Sequence, residues 1–155
     1  MPLKIAGKIY PVERNYFESV IAPLLRAAGP LVEFVGDLGQ REKDQFLVSA
    51  KALLFPIDWP EPFGLVMIEA FACGTPVIAW RRGSVPEVLS DGETGYIVAS
   101  VPEAVNAVGR MDQLNRRQCR RVFEERFTDE RMASAYLRVY ERLAKLADLA
   151  SNLTS

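Results

Sequence analysis

The chain has 155 residues, of which 49% are apolar and 25% are charged, values typical of one folded domain rather than a disordered chain. The net charge is −1, from 19 Lys and Arg against 20 Asp and Glu. Such a balance excludes the basic field that drives non-specific nucleic-acid binding, so we expect no nucleic-acid partner. Because the sequence contains no histidine, any catalysis must rely on carboxylates or backbone dipoles.

The two cysteines, Cys73 and Cys119, fit no zinc-ligand spacing, and the amino-terminal residues lack the pattern of a secretory signal. We therefore expect reduced thiols in a cytoplasmic protein. No apolar run reaches the roughly 18 residues that a membrane-spanning helix needs, so membrane association of a full-length protein is expected to be peripheral.

Short apolar runs alternate with stretches of helical period along the first two thirds of the chain. In chain order, the predicted elements are strand 3–6, helix 14–28, strand 32–35, helix 42–49, strand 52–55, helix 65–73, strand 77–80, helix 85–89, strand 96–98 and helices 102–111, 115–126 and 129–149. The successive strand–helix units predict an α/β fold with a Rossmann-like, doubly wound parallel sheet, followed by carboxyl-terminal helices. No linker divides residues 1–150, which we predict to form one domain, with 151–155 as a frayed tail.

The most informative stretch is LLFPIDWPEPFGLVMIEAFACGTPVIAW, residues 53–80. Three prolines, Pro56, Pro60 and Pro62, stiffen the loop after a buried strand, and Glu61 lies between two of them. Ligands of open α/β sheets bind outside the carboxyl ends of the strands, where this loop must lie. The loop is therefore suited to present Glu61 to a ligand.

Gly64 opens the next helix, where free backbone N–H groups and the helix dipole form an anion site suited to a phosphate. Gly64 alone would equally fit a simple helix start. Glu69 is the one charge on an otherwise apolar helix, so it must have a partner. That partner is either a cation inside the fold or the hydroxyl groups of a ligand, such as the vicinal hydroxyls of a ribose.

Two further patterns surround the strand that ends at Trp80. Arg81 and Arg82 follow that strand and are either solvated surface charges or cations facing an anionic ligand. Ser84, with Glu87 three residues later, predicts a capping box at the start of a short helix.

With these motifs in place, the chain resembles the retaining glycosyltransferases of family four, also called group 1. The resemblance rests on two glutamates, Glu61 and Glu69, separated by seven residues, and on the segments GTPVIA, GSVPEV and DGETGYIV that follow in order. It extends more weakly to LKIAG and to VEFVGDLGQREKDQFLVSAKALLFP, and covers roughly residues 3–111.

The resemblance implies one half of a GT-B fold, the carboxyl-terminal domain that holds a nucleotide-sugar donor. It implies that Glu69 binds the ribose and that Glu61 lies beside the transferred sugar as the catalytic residue. The backbone of Phe63, Gly64 and Leu65 would meet the diphosphate or the sugar hydroxyls. Three residues after the second strand would lie near the base: Gly36, Asp37 and Leu38.

The implied reaction moves a sugar from a nucleoside diphosphate to an acceptor hydroxyl with retention at the anomeric carbon. No cofactor is implied, and the lack of an Asp-x-Asp sequence agrees with the metal independence expected of this fold. Members usually begin this domain with one more strand–helix unit, which carries an Arg and a Lys for the diphosphate. We see no such unit before Leu3 and expect a domain truncated at its amino terminus, which lacks the acceptor domain and is inactive alone.

Other functions remain open. A stand-alone nucleotide-binding or scaffolding module, acting with a separate partner chain, is the principal alternative. A nucleotide-sugar epimerase of related fold is disfavoured by the paired glutamates, and a dinucleotide oxidoreductase by the lack of a G-x-G-x-x-G sequence. A sheet edge exposed by truncation would favour a homodimer of the fragment.

Overall fold

The computed structural model describes the backbone of residues 1–153 and the side chains of residues 1–146. All strands found there are short and pair in parallel, as the sequence predicts. Their bounds are β1 Leu3–Ala6, β2 Val32–Gly36, β3 Leu53–Phe55, β4 Val77–Trp80 and β5 Gly95–Val98. They form two hydrogen-bonded sets, β1 with β2, and β3, β4 and β5 in that order.

Helices separate the strands and complete the carboxyl-terminal part. Their bounds are α1 Arg14–Tyr16, α2 Ala22–Ala28, α3 Gln40–Ser49, α4 Leu65–Ala72, α5 Val85–Val88, α6 Val101–Arg110, α7 Arg116–Arg126 and α8 Asp129–Leu153. The parallel strands that alternate with helices establish the predicted α/β fold class.

The predicted helix 14–28 contains a wider turn. A π-helical segment, Phe17–Ile21, lies between α1 and α2. Pro23 follows it within this continuous helical stretch and has no backbone N–H to donate. Local widening of a helix is a common way to accommodate such a disturbance of its hydrogen bonds.

The chain divides into two compact units, Met1–Phe46 and Leu47–Ser155. No residue of the first unit is buried, and every residue of β1 is exposed. Two strands, one broken helix and the first part of α3 supply too little apolar surface to enclose a core.

The second unit contains the buried core. Met67, Ala70 and Phe71 of α4 are fully buried, together with Val77 of β4. Cys119 of α7 joins the same cluster, and burial raises the pKa of its thiol to about 11. The side of α4 that carries Met67 and Phe71 is therefore fixed against the sheet, which fixes the position of the helix start.

No helix within the described residues is long and apolar enough to cross a membrane. Helix α8 continues to Leu153, beyond the predicted end at 149, and residues 154–155 of the predicted tail lie outside the described residues.

Candidate functional site

The candidate site lies where two neighbouring strands end. The loop 56–64 follows β3, and the turn 81–84 follows β4. Because β3 and β4 are paired in parallel, their carboxyl ends lie at the same edge of the sheet. This edge is where open α/β sheets bind ligands.

The carboxylate of Glu61 is held by two donors. Its Oε1 accepts a hydrogen bond from the Gly64 N–H at 3.1 Å, and its Oε2 accepts one from the Trp59 indole N–H at 3.0 Å. Glu61 itself is half-buried. Charge-assisted hydrogen bonds of this kind restrict the carboxylate to one orientation.

Gly64 places the carboxylate at the start of α4. It precedes the helix with φ of +74°, a left-handed conformation that favours glycine. An added Cβ would also lie 2.6 Å from Met67 Cε and 3.3 Å from Phe55 Cζ. The tight packing leaves the first amides of α4 at the sheet edge, and the first N–H groups of an α-helix have no acceptor within the helix.

The turn after β4 is fastened to this loop by an ion pair and a backbone hydrogen bond. Arg82 Nε lies 2.8 Å from Asp58 Oδ1, and the Ser84 N–H donates to the Glu61 carbonyl oxygen at 2.9 Å. Sequence patterns left Arg82 open as a cation for an anionic ligand. In the structure it pairs with a carboxylate instead, and its neighbour Arg81 is exposed.

The remaining predicted residues of α4 differ in exposure. Glu69 is half-buried and interacts within the structure. Phe63 is partly exposed, and its ring packs edge-on against Phe127 with centroids 6.3 Å apart. Leu65 is 65% exposed in the first turn of α4. Glu61, Phe63, Gly64 and Leu65 are thus contiguous around one helix start.

The three residues predicted near a base lie in the first unit. Gly36 ends β2 with φ of +80°, and its carbonyl oxygen accepts a hydrogen bond from the Gly7 N–H at 2.9 Å. Asp37 is exposed and Leu38 is half-buried. Their part in base binding stays a prediction.

The predicted capping box at Ser84 is wrong. Ser84 is only 7% exposed, and its hydroxyl oxygen has no hydrogen-bond partner among the described residues. Its backbone is already helical, with φ of −73° and ψ of −9°, which is not the extended conformation of a capping residue. Its N–H is used instead by the Glu61 carbonyl oxygen.

Two residues of the site were missed from the sequence. Trp59 holds the carboxylate of Glu61, and Gly83 lies against the backbone of the same residue. The spacing of Trp59 and Glu61, two positions apart with a proline between, was a usable signal. The contact between Gly83 and Glu61 joins two loops that are distant in sequence, so the local sequence gives no indication of it.

The fold and the site together define a Rossmann-like domain that presents a glutamate and a helix start at the carboxyl edge of its strands. The family model of glycosyl transferases group 1 matches residues 3–127. The chain therefore belongs to that family, which confirms the family and the GT-B half domain predicted from the sequence.

Two curated relatives illustrate this membership. The chain is 37% identical over 127 residues to a phosphatidyl-myo-inositol mannosyltransferase of Mycobacterium leprae, covering 76% of this chain and 34% of the relative. It is 32% identical over 111 residues to an N-acetyl-α-D-glucosaminyl L-malate synthase of Bacillus anthracis, covering 66% and 29%. The chain thus spans about a third of the length of these relatives.

Solved structures show the same fold. A sucrose-phosphate synthase from Thermosynechococcus elongatus is similar with a TM-score of 0.77 at 28% identity, covering 93% of this chain and 39% of that one. HepE of Anabaena, in complex with UDP and glucose, is similar with a TM-score of 0.75 at 20% identity, covering 93% and 40%. The second similarity concerns the fold alone.

Proposed function

We propose that this chain is the donor-binding domain of a retaining glycosyltransferase, which takes a nucleoside-diphosphate sugar. The observation that carries the proposal is the carboxylate of Glu61, fixed by two hydrogen bonds beside the start of α4. Membership in the group 1 family supports it.

In this proposal the start of α4 receives the diphosphate. The N–H groups of Leu65 and Val66 belong to the first turn of α4, where the helix itself provides no acceptor for them. The dipole of the helix favours negative charge at the same place. Departure of the diphosphate builds negative charge at this point, so the amides stabilise the transition state more than the ground state. Glu61 would face the sugar, on which positive charge develops as the bond to the diphosphate breaks.

Glu69 is proposed to accept hydrogen bonds from the ribose hydroxyls. It lies one helical turn after Leu65 on α4, and its half-buried state leaves part of the side chain accessible. Gly36, Asp37 and Leu38 are proposed to lie near the base.

Calorimetric titration of the chain with UDP, GDP, ADP and NAD tests the proposal. We expect saturable binding of one nucleoside diphosphate and none of NAD. Glu69→Ala should weaken that binding by about tenfold or more, the value of a lost charge-assisted hydrogen bond pair. Glu125→Ala, which removes an exposed carboxylate of α7, is the matched control and should leave the affinity unchanged. Absence of binding at millimolar nucleotide would overturn the proposal for this chain.

We further propose that the chain alone does not transfer sugar, because the acceptor side belongs to a second domain. The chain covers only about a third of its curated relatives, which leaves room for such a domain in them. Addition of an acceptor domain from a relative should restore transfer, with the anomeric configuration of the donor kept in the product. The reaction should proceed in EDTA, since we expect no metal or other cofactor.

The principal alternative is a nucleotide-binding or scaffolding module that acts with a separate partner chain. Such a module would bind the nucleotide and yet give no transfer with any acceptor domain. The same reconstitution therefore separates the two functions, and product inversion would contradict the retaining mechanism.

A further inference from the structure

The turn 81–84 contacts the main chain of the proposed catalytic glutamate. The Ser84 N–H donates to the Glu61 carbonyl oxygen at 2.9 Å. Arg82 is paired with Asp58, three residues before Glu61. These two contacts connect the loop 56–64 to the turn on either side of Gly83.

Gly83 is exposed, yet it has no room for a side chain. A Cβ built on it would lie 2.3 Å from the Glu61 carbonyl oxygen, 2.5 Å from the Glu61 nitrogen and 2.8 Å from the Pro60 carbonyl carbon. The three nearest atoms therefore all belong to the two residues that present the carboxylate. Its φ of +46° also lies in the left-handed region that favours glycine.

The carboxylate end of Glu61 is fixed separately, by the Trp59 indole and the Gly64 amide. The backbone and the side chain of one glutamate are thus held by different segments. A shift of the Glu61 backbone would weaken the bonds of its carboxylate to both donors, because a hydrogen bond loses strength as its distance and angle leave their preferred range.

We propose that Gly83 and Trp59 are positioning residues for Glu61: the glycine sets the place of its backbone and the indole sets the direction of its carboxylate. The consequence for a donor rests on the function proposed above. Misplacement of Glu61 should reduce recognition of the sugar and leave recognition of the nucleotide unchanged.

The contact itself can be tested without any ligand. The indole N–H signal of Trp59 in a ¹H–¹⁵N spectrum reports its hydrogen bond to Glu61, and Glu61→Gln provides the reference for a changed acceptor. We expect Gly83→Ala to move this signal. Gly92→Ala is the matched control, because Gly92 has φ of +76° but nothing within 4 Å of its Cβ position. A folded Gly83→Ala with an unmoved Trp59 signal would overturn the proposal.

The donor consequence is measured by titration with two probes, UDP and UDP-glucose, or with the corresponding guanine or adenine pair where that base binds. Gly83→Ala and Trp59→Phe should each weaken UDP-glucose binding by about tenfold while UDP binding changes less than about threefold. Equal losses for both probes would contradict a role specific to the sugar. If neither probe binds, the donor function fails, and the indole signal still decides whether Gly83 positions Glu61.

A second variant covers the case in which the strain of Gly83→Ala prevents folding. In that case Arg82→Ala replaces it, because it removes the ion pair with Asp58 from an exposed side chain and leaves the backbone intact. We expect the Trp59 signal to move in the same direction by a smaller amount. An unchanged signal in folded Arg82→Ala would overturn the proposed role of the turn.

Discussion

The tetrapeptide Ser-Val-Pro-Glu occurs twice in this chain, at residues 84–87 and 100–103, and the structure uses the two copies differently. In the second copy, the Ser100 hydroxyl accepts a hydrogen bond from the Glu103 N–H at 3.4 Å, and the Glu103 carboxylate accepts one from the Ala99 N–H at 2.9 Å. The Ser100 side chain thus caps the start of α6, and the Glu103 carboxylate binds the residue before the cap. In the first copy, the Ser84 hydroxyl caps nothing.

The difference comes from the backbone that enters each copy. Ser100 is extended, with φ of −151° and ψ of 159°, so its side chain reaches back over the first turn of the helix. Ser84 is already helical, because Gly83 turns the chain against Glu61 and the Ser84 N–H bonds across to that loop. Identical local sequence therefore stabilises a helix at one place and supports a candidate active site at the other.

The largest difference in stability is expected when the serine of each copy is replaced by a charged residue. Ser84→Asp places a carboxylate at a buried position without a donor, and should lower the free energy of unfolding by more than about 2 kcal/mol. Ser100→Asp places it where aspartate is a good capping residue and should change stability by less than about 0.5 kcal/mol. Urea unfolding followed by tryptophan fluorescence measures both, since Trp59 and Trp80 lie in the same unit as the two copies. Equal costs at the two positions would contradict the comparison.

A smaller effect is expected when each hydroxyl is removed. Ser100→Ala loses the cap of α6 and should cost about 1 kcal/mol in the same unfolding experiment. Ser84→Ala removes a buried hydroxyl that has no partner among the described residues, and should be neutral or slightly stabilising. A loss at Ser84 as large as that at Ser100 would show that the Ser84 hydroxyl makes a bond of similar worth.

The smallest effect concerns the glutamates of the two copies. Glu103→Ala removes the acceptor for the Ala99 N–H and the Ser100 hydroxyl, and should cost about 0.5 kcal/mol. Glu87→Ala removes an exposed side chain. The Arg126 guanidinium donates to the backbone oxygen of Glu87, which the substitution keeps, so the free energy of unfolding should not change measurably. A measurable loss for Glu87→Ala would indicate a capping interaction of its carboxylate.

Elements defined by apolar runs could be predicted closely from the sequence. The bounds of β1 and β4 agree with the prediction, because Leu3–Ala6 and Val77–Trp80 are short apolar segments between clear breaks. The start of α4 directly after Gly64 was also predicted, since glycine and the prolines mark where the loop ends.

Contacts between loops could not be predicted in this way. The Ser84–Glu87 cap was predicted and is wrong, while the same letters at Ser100 form the cap that the sequence analysis did not single out. The local sequence shows which residues are able to cap a helix. Whether they do so depends on the conformation of the backbone that leads into the helix. The same limit applies to Gly83, whose need for glycine arises from Glu61, more than 20 residues earlier in the chain.

The most direct test of the central claim is amide mapping of the donor site. The ¹H–¹⁵N spectrum of the labelled chain would be recorded with increasing amounts of the nucleoside diphosphate that binds. We predict that the largest saturable shifts fall on the amides of Phe63, Gly64, Leu65 and Val66, around the start of α4. Shifts confined to other parts of the chain, with these four amides unmoved, would contradict the proposal that this helix start receives the diphosphate.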